Sequence, residues 1–278
     1  MIIRVCNFEF WSRAEQALAP RVGICLIFGI CYLEFNLLHL ELMHPYGVKT
    51  KACSSEPGVV MNPVDERYLL PTSMIDSNHK RIVEYAKDHI RHVEEDPIEK
   101  AIKLYYAVRD EIWYDPYYPF YLPEHYRASN VLKSGRGFCV SKASLLCALG
   151  RSCDIPSRVG FGTVRNHLAT QKVLEYIGSD LFVYHGFTEF FLEGKWVKAT
   201  PTFNKELCHK HNVKPLEFNG REDSIFHAFN MEKKQFMEYV KFHGTFSDIP
   251  IDRILSAWEK AYGKNRVAKW ITDLESKD

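Results

Sequence analysis

A chain of 278 residues is long enough to bury a sizeable core. Its 46% hydrophobic and 26% charged residues are the balance of an ordinary globular protein, and a formal net charge of +1 excludes a general attraction to nucleic acid or anionic membranes. Eight cysteines without a C-x-x-C pair exclude a zinc ribbon, and a chain of this length needs no disulfide framework, so reduced thiols in the cytoplasm are the plain reading.

Four of the eight cysteines (Cys6, Cys25, Cys31 and Cys53) fall in residues 1–60, which read apart from the rest: a docked helix, or an extension upstream of a start near Met43 or Met61. The run VGICLIFGICYL (22–33) has twelve residues, short of the roughly 20 that cross a bilayer. Arg4, Arg13 and Arg21 resemble the flank of a signal peptide, but no A-x-A-like cleavage site follows. A signal or anchor therefore stays open for residues 22–33, while a cytoplasmic protein without stable membrane association is the expectation. Residues 61–278 form the expected domain, after an irregular Pro/Gly/Ser/Asp-rich lead-in over 44–75.

DSNHKRIVEYAKDHIRHV (76–93) sets Ile82, Val83, Ala86, Ile90 and Val93 at helical spacing. A second helix follows in DPIEKAIKLYYAVRDEIWY, with Asp96 as N-cap, Pro97 in the first turn, and Ile98, Ile102, Tyr105 and Tyr106 inward. WYDPYYPFYLPEHY (113–126) is too proline-rich for a helix; it is either a loop packed over the core or an aromatic cleft wall. CVSKASLLCALGRS (139–152) is predicted helical. PSRVGFGTV and DLFVYHGFTEFFL are predicted strands, and EGKWVKATPTF is the hairpin partner that turns at Glu193-Gly194. NKELCHKH reads as a short helix whose Cys208, His209 and His211 do not share one face, so no metal site is expected there. KKQFMEYVKFHG (233–244) is amphipathic and carries no nucleophile, and two helices close the chain around DRILSAWEKAYG and VAKWITDL. Helices first, then a mainly antiparallel sheet, predict an α+β fold.

Cys139 stands apart from the other cysteines. It follows Gly135 and Gly137 and opens a helix, where unpaired N–H groups and the positive dipole end favour a thiolate, and its own amide can serve a developing oxyanion. His185 begins a strand that can aim an imidazole at that helix end. Glycine–x–cysteine opening a helix, a histidine 46 residues later, and a tryptophan-bearing strand ending in a Pro-Thr step resemble the transglutaminase-like family of the papain-like superfamily. RASNVLKSGRGFCVSKASLLCALGRSCDIPSRVGFG is similar to its cysteine segment and HGFTEFFLEGKWVKATPTFN to its histidine segment, so that the resemblance covers roughly 76–205.

The resemblance implies Cys139 as nucleophile and His185 as general base and acid. It also implies an aspartate before the Pro-Thr step, where this chain has Thr200; Asn204 is the next candidate, with Glu189 too far along the strand and Asp180 or Asp223 dependent on the fold. A second oxyanion donor is expected upstream, from Trp113, Tyr126 or Asn130. The implied activity is acyl transfer through a thioester on a peptide or protein amide, with hydrolysis favoured over cross-linking, no cofactor, no metal and no calcium loop. The alternative is a catalytically inactive binding or scaffold protein, which the missing aspartate favours.

Overall fold

The computed structural model describes residues 64–93 and 95–276. The expected segment 1–60 lies outside the described residues, as does the apolar run 22–33. Helix α1 (Lys80–Ile90) starts on His79, whose Nδ1 accepts from the Arg81 amide. Helix α2 (Pro97–Glu111) starts as expected, with Asp96 Oδ1 taking the Ile98 N–H at 2.9 Å. A two-residue strand β1 (Trp113–Tyr114) follows, then α3 (Ala128–Ser134), β2 (Arg136–Gly137) and α4 (Cys139–Ser152). Strands β1 and β2 pair in parallel, Trp113 with Arg136 and Tyr114 with Gly137.

Helix α4 is buried from Val140 to Arg151. That is why its sequence lacks a one-sided apolar stripe. The two cations in it are satisfied by backbone carbonyls: Lys142 Nζ donates to Arg109 O and Ile112 O, and Arg151 donates to Ser157 O, Leu70 O and Ser247 O.

Strand β3 (Ser157–Asn166), helix α5 (Gln171–Ile177), strand β4 (Leu181–Leu192) and strand β5 (Lys195–Ala199) follow. Glu193 and Gly194 both have positive φ, 47° and 80°, the geometry of a tight two-residue hairpin. Helix α6 (Lys205–Lys210) is followed by strand β6 (Met237–Phe246), and helices α7 (Ile251–Tyr262) and α8 (Lys264–Glu275) end the chain. The amphipathic 233–244 stretch therefore contributes most of a strand. Its alternation suits a sheet edge, where it pairs antiparallel with β3.

The sheet runs β5-β4-β3-β6, antiparallel throughout, and α4 packs on it. The fold is α+β, with the cysteine-bearing helix laid on an antiparallel sheet. Thr188 Oγ1 of β4 donates to Ala143 O of α4 at 2.8 Å, which locks helix to strand. The aromatic stretch 113–126 divides its roles: Tyr118, Phe120 and Tyr126 are buried, with Phe120 against Trp258 and Trp270, while Trp113 is 52% exposed.

Candidate functional site

Strand β5 accompanies β4 only from Thr188 to Leu192, so the outer edge of β4 is unpaired by strand from Leu181 to Gly186. Helix α7 satisfies one end of that gap: Tyr262 Oη accepts from the Val183 amide and donates to Leu181 O, and Trp258 Nε1 donates to Val183 O. Cys139 occupies the other end. The backbone N–H groups of Gly186, the residue after His185, of Val140 and of Cys139 itself favour its anion, which sets the sulfur within their electrostatic reach.

The approach depends on Gly186, where a β-carbon would lie 2.9 Å from Val140 Cα. The N-cap residue of α4, Phe138, has no side-chain oxygen to offer, which leaves the first amides of the helix turned toward the sulfur. The two upstream glycines serve the helix ends rather than a ligand. Gly135, at φ 66°, ends α3, and Gly137 makes room for Ser141 Oγ, which would stand 2.5 Å from a β-carbon there.

His185 is placed by a local irregularity. Gly162 pairs with His185 but Val164 pairs with Phe182, so β4 carries one extra residue. Tyr184 takes the left-handed conformation there at φ 59°, costing roughly 1–3 kcal/mol. Its ring is held by stacking on His243 at 4.4 Å, and His243 Nε2 bonds Thr163 Oγ1. Since Gly186 and Thr188 face α4, alternation turns His185 toward the other face. There its ring meets Phe226 at 4.7 Å and Tyr239 at 6.3 Å.

Burial works against the thiolate–imidazolium pair expected from the sequence, although the Cys139 side chain is only half-buried. Burial pushes the Cys139 thiol up to about 11, against the three N–H groups that favour its anion. Burial alone pushes His185 down to about 3, so its imidazole is neutral. His185 Nε2 is sealed from solvent without a hydrogen-bond partner, and no hydrogen bond joins it to Cys139.

The candidates for a third member separate. Asn204 is fully buried, but its Oδ1 accepts the Tyr114 N–H at 2.7 Å and its Nδ2 donates to the carbonyls of Arg109, Asp110 and Ile112. With its groups committed to closing the end of α2, Asn204 does not orient His185. Glu189 is paired with Arg158 at 2.6 Å, Asp180 with Arg165 and Asp223 with Lys198. Thr200 follows β5 and is buried, with Oγ1 unpartnered. The Tyr239 hydroxyl lies toward the Thr200 hydroxyl and the Phe226 amide, yet it too lacks a formed hydrogen bond.

The upstream candidates also separate. Tyr126 Oη donates to Phe120 O at 2.5 Å, and Asn130 Nδ2 donates to Glu124 O, so both are committed elsewhere. Trp113 sits opposite Arg136, three residues before Cys139, with its side chain largely exposed. Its neighbour Tyr114 carries no signal in the sequence on its own. That phenol is held up by burial and by the Cys139 sulfur, which places it within electrostatic reach of the thiol. Tyr126, Tyr239 and Tyr262 are within the same reach, but Tyr126 and Tyr262 have committed hydroxyls. The signal available in sequence was the Trp-Tyr-Asp step just after a helix, which only the pairing with Gly137 brings beside Cys139.

In α6, Cys208 is buried while His209 is exposed, so neighbours in CHKH look different ways. The four cysteines among the described residues are free thiols. Among the described residues no helix is long and apolar enough to cross a membrane.

Comparison with curated proteins finds no match. Among solved structures, a presumed cysteine protease of Cytophaga hutchinsonii is similar at 18% identity and a TM-score of 0.37, over 49% of this chain and 40% of its own. A presumed protease of Parabacteroides distasonis is similar at 13% identity and a TM-score of 0.32, over 46% of this chain and 26% of its own. The chain thus spans well under half the length of either. Residues 84–201 match the family model described as the transglutaminase-like superfamily, a match that takes in α2, α4, β4 and β5 with Cys139, His185 and Thr200. The helix-on-antiparallel-sheet region of this α+β chain is thus similar to the transglutaminase-like superfamily over residues 84–201.

Proposed function

We propose that the protein is a cysteine acyl-transfer enzyme in which Cys139 attacks an amide carbonyl of a peptide or protein and water resolves the thioester. The observation that carries this reading is the meeting of the Cys139 sulfur with the Gly186 N–H, at the open edge of β4 directly after His185. A thiol buried for packing alone needs no such ring of amides; Cys147, buried in the same helix, has none.

Because the resting pair is neutral, His185 acts as a general base during attack rather than as a pre-formed imidazolium. Its sealed Nε2 leaves Nδ1 as the nitrogen that takes the thiol proton once the ring turns to the sulfur at the strand edge. The S–C bond forms, the carbonyl oxygen becomes the oxyanion, and the proton on Nδ1 passes to the departing amine as the C–N bond breaks. Water then adds to the thioester with His185 again as base, the C–S bond breaks as that proton returns to the Cys139 sulfur, and the carboxylic acid departs. The Cys139 amide is one oxyanion donor, and the uncommitted Tyr114 hydroxyl is better supported as the second than Tyr126 or Asn130. Hydrolysis is favoured over cross-linking because water needs no dedicated amine site.

A second reading, an inactive binding or scaffold protein, is favoured by one observation: among the described residues no carboxylate approaches His185, whose ring is not bonded to Cys139. Incubation with p-nitrophenyl acetate, followed by mass spectrometry of the Cys139 peptide, decides between them. The enzyme is expected to form acetyl-Cys139 with release of p-nitrophenolate and then lose the acetyl group, and His185→Ala is expected to slow acetylation by about 100-fold or more. Acetylation of Cys139 no faster than that of Cys153, and insensitive to His185→Ala, would leave the scaffold reading.

A further inference from the structure

Three polar groups on the far face of the sheet are buried and unsatisfied together: His185 Nε2, Thr200 Oγ1 and Tyr239 Oη. Leaving a buried polar atom unpaired costs roughly 1–3 kcal/mol, so small turns of the ring and hydroxyls that pair these three with one another are favoured. Tyr239 comes from β6, outside the segment that matches the family, and two strands away from β4. It reaches across because β3 carries Gly162 at the position paired with His185. A β-carbon on Gly162 would stand 3.2 Å from the Tyr239 ring, so the phenol lies over bare backbone toward the imidazole. The two rings meet edge to face at 67° and 6.3 Å. The Tyr239 hydroxyl in turn lies toward Thr200, which stands where the family carries its aspartate.

We propose that Tyr239 is a positioning residue that, with Thr200, replaces that aspartate by an uncharged relay: Tyr239 Oη accepts the Nε2–H of neutral His185 and donates its own hydrogen to Thr200 Oγ1. This rests on the acyl-transfer reading above. The relay selects the Nε2–H tautomer, which leaves the Nδ1 lone pair free to take the Cys139 proton. It supplies no counter-charge, so the imidazolium is stabilised less than beside a carboxylate and exists only within the catalytic cycle. Among the described residues the titratable side chain seen against the His185 ring is Tyr239 from β6; the adjacent Tyr184 turns away to His243. Among the described residues burial alone shifts His185 and no charged side chain contributes, consistent with a relay made of hydroxyls.

The test measures Cys139 acetylation by p-nitrophenyl acetate from pH 4 to 10 in the full chain, alongside 15N chemical shifts of the His185 ring, assigned by comparison with His185→Ala. Tyr239→Phe keeps the ring contacts and removes only the hydroxyl. It is expected to slow acetylation about 10-fold, part of the roughly 100- to 10,000-fold that acid–base catalysis contributes, and to abolish the tautomer preference in the 15N spectrum. Thr200→Asp restores a carboxylate. It is expected to raise the His185 pKa, moving the acid limb of the rate profile to higher pH, and to rescue the rate in the Tyr239→Phe background. Unchanged rates and an unchanged tautomer in Tyr239→Phe would overturn the relay while acyl transfer stands. A wild-type protein that never acetylates at Cys139 would overturn the acyl-transfer reading, and the relay with it.

Discussion

His185 should make the protein sensitive to acid in a way that can be isolated. Its imidazole is 5% exposed, and burial alone lowers its pKa from 6.5 to about 3. In the unfolded chain the ring takes a proton as the pH falls below 6.5, whereas in the folded protein it stays neutral until about 3. The unfolded state therefore binds more protons over that window, so stability is fully present above pH 6.5 and is lost as the pH falls toward 3. At pH 5 the gap is about 1.5 pH units, which at about 1.36 kcal/mol each amounts to about 2 kcal/mol. The perturbation is His185→Gln, which is close in size and does not titrate. Urea unfolding of both proteins at pH 7 and pH 5 gives the two losses, and all other titrating groups cancel in the comparison. The wild type is expected to lose about 2 kcal/mol more than the variant between the two pH values. Equal losses would refute the assignment of a buried, neutral His185, and with it the argument that this ring is the base.

Two further substitutions separate structural from catalytic roles. Asn204→Ala leaves the Tyr114 amide and the Asp110 carbonyl without their partner, although Lys142 still covers Arg109 O and Ile112 O. It is expected to cost about 3 kcal/mol in urea unfolding. A variant of unchanged stability that lost only Cys139 acetylation would show that Asn204 orients the site instead. Gly186→Ala sets a methyl group 2.9 Å from Val140 Cα, backbone that cannot turn aside as a side chain can. It is expected to lower stability by about 1–3 kcal/mol and to slow Cys139 acetylation, because the strand must move off the start of α4. Wild-type melting and acetylation in this variant would mean that the contact is loose.

The sequence by itself determined what depends on local chemistry. Asp96 and Pro97 start α2 because a carboxylate and a missing N–H suit a helix N-terminus wherever they fall. Glu193-Gly194 turns the β4–β5 hairpin because its positive φ values are set by two adjacent residues. The order of cysteine, histidine and tryptophan segments likewise points to the family before any contact is known. Only the tertiary structure decided which groups are satisfied. Thr200, the first candidate, and Asn204, the second, stand four residues apart, yet Asn204 is saturated by the end of α2 and Thr200 Oγ1 has no partner. Tyr239 carries no signal in its own segment, since its place beside His185 depends on a glycine 77 residues away on the middle strand. Protonation likewise depends on the fold: a helix N-terminus favours a thiolate, whereas desolvation, which depends on everything packed around the sulfur, pushes the Cys139 thiol up. Local propensity acts through neighbours along the chain; burial and hydrogen-bond satisfaction sum over neighbours in space, and that sum exists only once the sheet and α4 have met.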